Sequence, residues 1–154
     1  MNVVGTCRGG RPVNIVIVGC GRVGATLASR LSQQKNTITI IDLDDDAFRR
    51  LDKSFRGETL IGDGTDQEIL RRAGIEDAQA FVAVTNGDNR NIMAAQIAQH
   101  IFHTPTVVCR IYDPKREEIY RALGLTVISP TTIGAESILE KLHEATQAAT
   151  AQSR

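Results

Sequence analysis

The feature that most constrains this chain is an apolar run that leads directly into a glycine pattern. Residues 15–18 are isoleucine and valine, and Gly19-Cys20-Gly21-Arg22-Val23-Gly24 follows as G-x-G-x-x-G. A helical pattern then begins at Ala25. The order strand, glycine turn, helix is the context that a dinucleotide-binding fingerprint requires. The chain is therefore predicted to begin with a strand and a helix that hold a nucleotide between them.

Each glycine of this loop has its own predicted role. Gly19 permits the tight turn, Gly21 leaves room for a pyrophosphate, and Gly24 lets the helix lie close to the strand. The amides and dipole at the helix N-terminus would then face the phosphates. Arg22 lies at the helix start, where its guanidinium could clamp a phosphate or remain an exposed turn residue. Cys20 and Val23 complete the predicted phosphate loop.

An acidic residue follows the next predicted strand at the spacing the fingerprint requires. Asp42 lies eighteen residues after Gly24, directly after the β-branched run 37–41. Its carboxylate could accept hydrogen bonds from both ribose hydroxyls and would repel a 2′-phosphate. NAD or an adenosine nucleotide is therefore favoured over NADP. The alternative is that Asp42 only begins an acidic helix cap with residues 44–46.

Strand and helix patterns alternate along the rest of the chain. Six helices are predicted: after the glycine loop, from residues 44–46, after Thr65 or Asp66, over 91–102, from Pro114 and after Ser129-Pro130. The predicted strands are 15–18, 37–41, 58–61, 80–84, 106–109 and 126–128. This alternation predicts an α/β fold, a Rossmann-like doubly wound parallel six-stranded sheet of order 3-2-1-4-5-6.

Composition and length limit the classes of function. The chain has 154 residues, enough for one domain, and we expect a flexible leader over 1–13, the nucleotide-binding domain over 14–142 and a fraying tail over 143–154, with no second domain. Zero formal net charge disfavours nucleic-acid binding. Apolar runs of five or six residues are too short to insert into a membrane. The three cysteines lack metal-ligand spacing, so we expect no metal site. A secreted disulfide framework would contain more cysteines, so a reducing compartment is favoured.

Polar residues follow the other predicted strands. In a sheet of this order, ligands bind outside the carboxyl ends of the strands. Asp63, in a Gly-Asp-Gly turn, is either an adenine contact or a plain turn residue. Thr85 and Asn86 offer a hydroxyl and an amide across from the glycine loop, or simply end their strand. Arg110 ends an apolar strand, where an unpaired cation is costly, so we expect it to meet an anionic ligand or a nearby aspartate.

Catalytic machinery is not recognisable in the sequence. The three histidines lie in or next to predicted helices, and there is no Tyr-x-x-x-Lys pair, serine elbow or metal cluster. Hydride transfer also needs a substrate pocket, for which we find no further domain or long insertion. Binding without catalysis is the preferred interpretation, so we expect no catalytic residue and no enzyme. The alternatives are a small NAD-dependent oxidoreductase, or a fragment of one, and a dimerisation module that has lost its ligand.

Several motifs together resemble the N-terminal RCK domain, also called KTN or TrkA-N. They are G-C-G-R-V-G, I-I-D-L-D, G-D-G-T-D-Q-E-I-L-R-R-A-G-I, A-V-T-N-G-D-N-R-N and R-I-Y-D-P, within residues 14–142. The resemblance implies a cytoplasmic regulatory domain, peripheral to the inner face of the cell membrane. It would bind NAD(H) or ATP/ADP, form homodimers or rings, and control a potassium-transporting membrane subunit of Trk/Ktr type.

The resemblance also assigns roles to individual positions. It matches residues 19–23 to the family's phosphate loop, Asp42 to its ribose acid, and Thr85, Asn86 and Arg110 to its remaining nucleotide contacts. Arg22 favours ATP, whereas the likeness to stand-alone TrkA-type chains favours NAD. The chain departs from some members at Thr131-Thr132, where they have an acidic residue. Its last helix is either a dimerisation element or packs on its own sheet.

Overall fold

The structure, a computed structural model, describes residues 11–152 and forms one six-stranded sheet. All strands are parallel and their order is β3-β2-β1-β4-β5-β6, as the sequence predicts. The chain therefore reverses its direction of winding between β1 and β4. The strands are β1 (Asn14–Val18), β2 (Thr37–Asp42), β3 (Glu58–Ile61), β4 (Ala80–Ala83), β5 (Thr106–Arg110) and β6 (Thr126–Ile128).

Within residues 11–152, five α-helices connect or follow the strands. They are α1 (Arg22–Gln33), α2 (Gln67–Arg72), α3 (Asp88–His100), α4 (Pro114–Ala122) and α5 (Pro130–Gln152). A helix begins from residues 44–46 as expected, but Asp45–Arg50 is a 3₁₀ helix and not an α-helix. Asp42 accepts a hydrogen bond from the amide of Asp44, and Asp44 caps the helix by accepting one from the amide of Asp46. The backbone bonds from Ala47 to Asp44 and from Leu51 to Phe48 each span three residues, and helices of this type stay short.

Two apolar clusters cover the two faces of the sheet. Alternate residues of β1 divide between them, so Val16 and Val18 belong to one cluster and Ile15 and Ile17 to the other. The first cluster includes residues of α2 and α3, and the second includes residues of α1. Burial on both faces explains why these strands are almost uninterrupted apolar runs.

The final helix differs from the others in its exposure. The side chains at positions 135–147 of α5 are exposed, so this part of the helix does not pack on its own sheet. The helix continues past residue 142, where the expected tail begins. Fraying of 143–154 and flexibility of 1–13 stay predictions, since residues 1–10 and 153–154 lie outside the described part. No helix among the described residues is long and apolar enough to cross a bilayer.

Candidate functional site

A cleft of about 690 Å³ opens at the carboxyl ends of the strands, beside the neighbouring strands β1 and β4, between which the direction of winding reverses. This is the position where doubly wound sheets bind ligands. Two of the predicted site residues, Gly24 and Asp63, do not line it. The other nine do: Gly19, Cys20, Gly21, Arg22, Val23, Asp42, Thr85, Asn86 and Arg110.

The glycine loop packs backbone against backbone. Gly19 has a φ of +103°, and a Cβ there would lie 2.7 Å from the amide nitrogen of Thr85. A Cβ on Gly24 would lie 1.8 Å from the carbonyl oxygen of Gly19, so this glycine brings α1 against the loop. At Gly21, by contrast, a Cβ would meet nothing within 4 Å. The loop is therefore tight at both ends and open in the middle, where a phosphate could approach.

The helix that starts at the loop has no side-chain cap. α1 follows Gly21 and has no acidic residue in its first turn, and α3, which follows β4, begins after Gly87. By contrast, Asp66 caps α2 and Asp113 caps α4. Each of these carboxylates accepts a hydrogen bond from the backbone amide two residues further along the chain. The first amides of α1 therefore remain available to an anion, which the helix dipole also attracts.

Asp42 joins the end of β2 to the glycine loop. Its Oδ2 accepts a hydrogen bond from the Cys20 amide at 2.7 Å, and its Oδ1 accepts one from the Asp44 amide at 2.9 Å. These two bonds fix the orientation of the carboxylate at the cleft wall. Each carboxylate oxygen can still accept another hydrogen bond. The arrangement suits a ribose whose two hydroxyls donate to Asp42.

Cys20 contributes its backbone to the cleft more than its thiol. The residue is fully buried, and burial raises the pKa of the thiol to about 11, with the Asp42 carboxylate adding to the effect. Arg50 acts in the opposite direction. The thiol is therefore neutral at physiological pH, a state that disfavours nucleophilic chemistry.

Asp63 is engaged within its own turn. Its Oδ1 accepts hydrogen bonds from the amide and the hydroxyl of Thr65, at 2.9 and 2.8 Å. Both bonds lower the pKa of the Asp63 carboxyl group, and the bond from the amide has the larger effect. The neighbouring Gly62 and Gly64 line the cleft, but Asp63 does not. Contact between Asp63 and an adenine base stays a prediction, and the geometry favours the turn role.

The hydroxyl of Thr85 is directed at a residue that the sequence analysis did not single out. Asn91 of α3 accepts hydrogen bonds at its Oδ1 from the Thr85 amide and hydroxyl, at 2.8 and 2.7 Å. Because that hydroxyl proton is in use, Thr85 can only accept from a ligand. Asn86 is exposed on the rim, where its amide can reach a ligand directly.

Arg110 is a cation buried without a carboxylate partner among the described residues. It is 9% exposed, and its Nη2 donates to the carbonyl oxygens of Val84 and Thr85, each at 2.7 Å. Its Nε has no hydrogen-bond partner in the described part of the chain, and the guanidinium lies 4.6 Å from the centre of the Tyr112 ring. We expected Arg110 to meet either an aspartate or an anionic ligand, and no aspartate pairs with it in the described part of the chain. A buried guanidinium with a free donor fits a site for an anionic group.

Positive charge predominates around the cleft. Four arginines and two aspartates line it, among them Arg50, Arg90 and Asp44, which the sequence analysis did not place there. Tyr112 also lines it, two residues beyond Arg110. These residues lie outside the strand ends, so strand-end reasoning could not find them. For Asn91 a signal exists: an amide beside the apolar positions 92, 94 and 95 of a helix indicates a buried polar group.

In the described part of the chain, neither a metal site nor a histidine lies at this cleft. Within residues 11–152, no group of three or more His, Cys, Asp or Glu side chains is placed to hold a metal ion. None of the three histidines lines the cleft. The cleft instead brings together the carboxylate of Asp42 and a buried guanidinium, that of Arg110, which has no carboxylate partner in the described part. This combination fits the ribose and phosphate of a nucleotide.

Comparisons with known proteins agree with this geometry. The chain is 48% identical over 130 residues to the Trk system potassium uptake protein TrkA of Streptomyces coelicolor, which covers 84% of this chain and 58% of that relative. The chain therefore spans little more than half the length of that protein.

Two solved structures share the fold. The GsuK channel bound to NAD superposes with a TM-score of 0.73 at 28% identity, over 92% of this chain and 25% of that one. GsuK bound to ADP gives a TM-score of 0.70 at 27% identity, over 87% of this chain and 34% of that one. The model of the TrkA-N domain matches residues 15–130. The chain belongs to the TrkA-N family, whose structural neighbours are RCK domains.

Proposed function

We propose that this chain is a regulatory domain that binds NAD(H) or ATP/ADP and controls potassium transport. The observation that carries the proposal is the buried guanidinium of Arg110, which has no carboxylate partner in the described part and faces the cleft that Gly19 and Asp42 also line. An anionic ligand would supply the missing partner. The relatives' names, a potassium uptake protein and a channel bound to NAD or ADP, support the same function.

The nucleotide would be held by groups with separate tasks. The open backbone at Gly21 and the first amides of α1 would receive the phosphates, helped by Arg22 on the rim. Asp42 would accept from the ribose hydroxyls, and its charge would disfavour a 2′-phosphate. Arg110 would face an anionic part of the ligand. None of these groups is a general base or nucleophile aimed at a reacting atom, so we propose a sensor and not an enzyme.

Titration calorimetry tests nucleotide binding directly. Purified protein would be titrated with NADH, NAD, ATP, ADP and NADPH. We expect at least one of the first four to bind below about millimolar and NADPH to bind more weakly than NADH. Asp42→Ala should weaken binding, whereas Asp45→Ala, an exposed neighbour outside the cleft, should not. Failure of all five to bind, with Asp42→Ala without effect, would contradict the proposal.

Regulation requires that the nucleotide prefer one assembly state over another. We propose that the chain forms a homodimer or larger ring through α5, because the helix exposes large apolar side chains that a soluble monomer would have to leave in water. They are Ile133, Ile138, Leu139 and Leu142, each 49–63% exposed. Sedimentation velocity should show an oligomer whose distribution changes with the bound nucleotide. The variant Ile138→Glu/Leu142→Glu should be monomeric.

The transport partner would be a potassium-transporting membrane subunit, with this domain in the cytoplasm at the inner face of the membrane. Coexpression with a Trk-type membrane subunit from the same genome, followed by rubidium uptake measurements, tests this step. Uptake should depend on the domain and should change with Asp42→Ala. Uptake that is indifferent to the domain would contradict the proposed partner.

The oxidoreductase alternative makes a different prediction. An enzyme would oxidise NADH steadily in the presence of a carbonyl substrate, whereas a sensor would bind NADH without turnover. Absorbance at the NADH band, followed over a panel of aldehydes and ketones, separates the two. Steady oxidation would replace the regulatory proposal with the enzymatic one.

A further inference from the structure

Asn91 is a fully buried polar residue whose hydrogen-bonding capacity is completely used. Its Oδ1 accepts from the amide and hydroxyl of Thr85, and its Nδ2 donates to the carbonyl oxygens of Thr85 and Arg110, each at 3.0 Å. A primary amide has two donors and two acceptor sites. Reversing the amide would place oxygen against two carbonyl oxygens, so the orientation is determined by its surroundings.

From these contacts we infer that Asn91 is the positioning residue of the nucleotide cleft, an inference that rests on the proposed function. It does not line the cleft and would not touch a ligand. It would act through Thr85 and Arg110, which do line it. One side chain of α3 thereby sets the relative position of the ends of β4 and β5.

The first route runs through the backbone of Thr85 to the glycine loop. A Cβ on Gly19 would lie 2.7 Å from the Thr85 nitrogen and 2.9 Å from its Cα, so the two backbones are already in contact. Three of the four hydrogen bonds of Asn91 go to Thr85. A displacement of Thr85 would therefore move the support on which the phosphate loop rests.

The second route runs to Arg110. Asn91 holds the carbonyl oxygen of Arg110, and the guanidinium of the same residue donates to the Thr85 carbonyl oxygen at 2.7 Å. Thr85, Asn91 and Arg110 thus form a closed set of hydrogen bonds. Loss of the amide would free both the backbone and the side chain of the buried cation. The position of the Arg110 guanidinium at the cleft depends on this set.

Binding measurements on folded variants test the inference. Asn91→Leu removes the amide but keeps the number and branching of the side-chain heavy atoms, and we expect the Kd for NADH or ADP to rise about tenfold or more. Ser32→Ala is the matched control, because Ser32 also makes buried hydrogen bonds but lies near the far end of α1. The control should change the Kd less than about twofold. An unchanged Kd in folded Asn91→Leu would overturn the inference.

A double-mutant cycle distinguishes positioning from general destabilisation. If Asn91 acts partly through Arg110, Asn91→Leu should raise the Kd by a smaller factor in an Arg110→Met background than in the unaltered protein. The increase in Kd caused by Asn91→Leu should be about threefold smaller, or less still, in the Arg110→Met background. Equal factors in the two backgrounds would show that Asn91 does not act through Arg110 and would overturn that route.

The unaltered protein provides a test that needs no variant and no ligand. In an NMR exchange experiment, the two Nδ2 protons of Asn91 should exchange far more slowly than those of Asn86, which is exposed on the rim. Equal exchange rates would overturn the inference even if NADH and ADP bind. Slow exchange without binding of any nucleotide would instead overturn the proposed function and leave the hydrogen-bonded set established.

Discussion

The carboxylate of Asp42 and the backbone amide of Cys20 are joined by a 2.7 Å hydrogen bond that connects the end of β2 to the glycine loop. The proposed ribose acid and the proposed phosphate loop are therefore one structural unit. A ligand that displaced Asp42 would also disturb the loop, and one that bound the loop would meet a carboxylate already oriented. This coupling leads to the first prediction.

Asp42→Asn should weaken nucleotide binding about tenfold or more, because hydrogen bonds to a charged group contribute about 1.5–3 kcal/mol. The amide oxygen can still accept from Cys20, so the loop should be retained. Loss of the negative charge should also bring the affinities for NADPH and NADH closer together. Calorimetry with both ligands measures the two effects, and Asp45→Asn serves as the charge-matched control. A constant NADH to NADPH ratio would contradict the assigned role.

Gly24→Ala should destabilise the fold by about 1–3 kcal/mol, as overpacking typically does. The added Cβ would lie 1.8 Å from the Gly19 carbonyl oxygen. Gly134→Ala is the matched control, since a Cβ there meets nothing within 4 Å and the position lies within α5. The control should be neutral or stabilising by up to about 1 kcal/mol. Urea unfolding of both variants gives the comparison, and equal stabilities would contradict the described packing.

The two buried thiols should be unreactive in the folded protein. Burial raises the pKa of Cys20 and of Cys109 to about 11, from a usual value of 9.0. At pH 8 their thiolate fractions should be about 100-fold lower than in the unfolded chain. Maleimide labelling of a Cys7→Ser variant, with and without denaturant, measures the difference. Rapid labelling of the native protein would contradict it.

The same thiols predict a pH dependence of stability. Between pH 9 and about 11 the unfolded chain has released these protons and the folded chain still holds them. The free energy of unfolding should therefore fall as pH rises through this window. Below pH 9 both states hold the protons, so these thiols contribute no slope. The variant Cys20→Ala/Cys109→Ala should show a smaller decrease in denaturant experiments at pH 9 and 10.5; an identical decrease would rule out this cause.

Thr132→Val should loosen the start of α5. The Thr132 hydroxyl donates to Glu117 Oε2 at 2.8 Å, and Glu117 is buried and also paired with Arg121. Loss of this bond leaves a buried carboxylate less satisfied and should cost about 1 kcal/mol. Amide exchange in the first turn of α5 should accelerate. Thr131→Val, at an exposed neighbour, should leave exchange unchanged, and equal acceleration in both variants would contradict the role of this bond.

The sequence predicted the sheet because its central strands, such as β1 and β2, are buried on both faces and therefore form apolar or β-branched runs between turn residues. Nine of the eleven predicted site residues line the cleft, because ligands in this fold bind at strand ends. The second helix was predicted in place, but its sequence did not show that it would be a 3₁₀ helix and not an α-helix. The exposure of α5 could not be decided from its apolar positions alone.

The hydrogen-bond partners of Asn91 and the direction of the Thr85 hydroxyl could not be predicted from the sequence, for a different reason. Both depend on a contact between α3 and the ends of two strands, which no local pattern encodes. The role of Arg110 could be predicted from the sequence only in part. Its position at a strand end predicted a buried cation, but only the structure shows that backbone carbonyls and not an aspartate accept from it.

The cleft has a main-chain floor, which includes the contact between Gly19 and Thr85, and a rim of side chains, and the two can change independently. At Gly19 the floor leaves no room for a Cβ, so a substitution there cannot reshape it without displacing the segment that follows β4. Its rim consists of replaceable side chains such as Arg22, Arg50, Arg90 and Tyr112. Relatives could therefore diverge in ligand preference while keeping the same phosphate cradle, and exchange of rim residues between relatives is the direct way to alter which ligand this domain recognises.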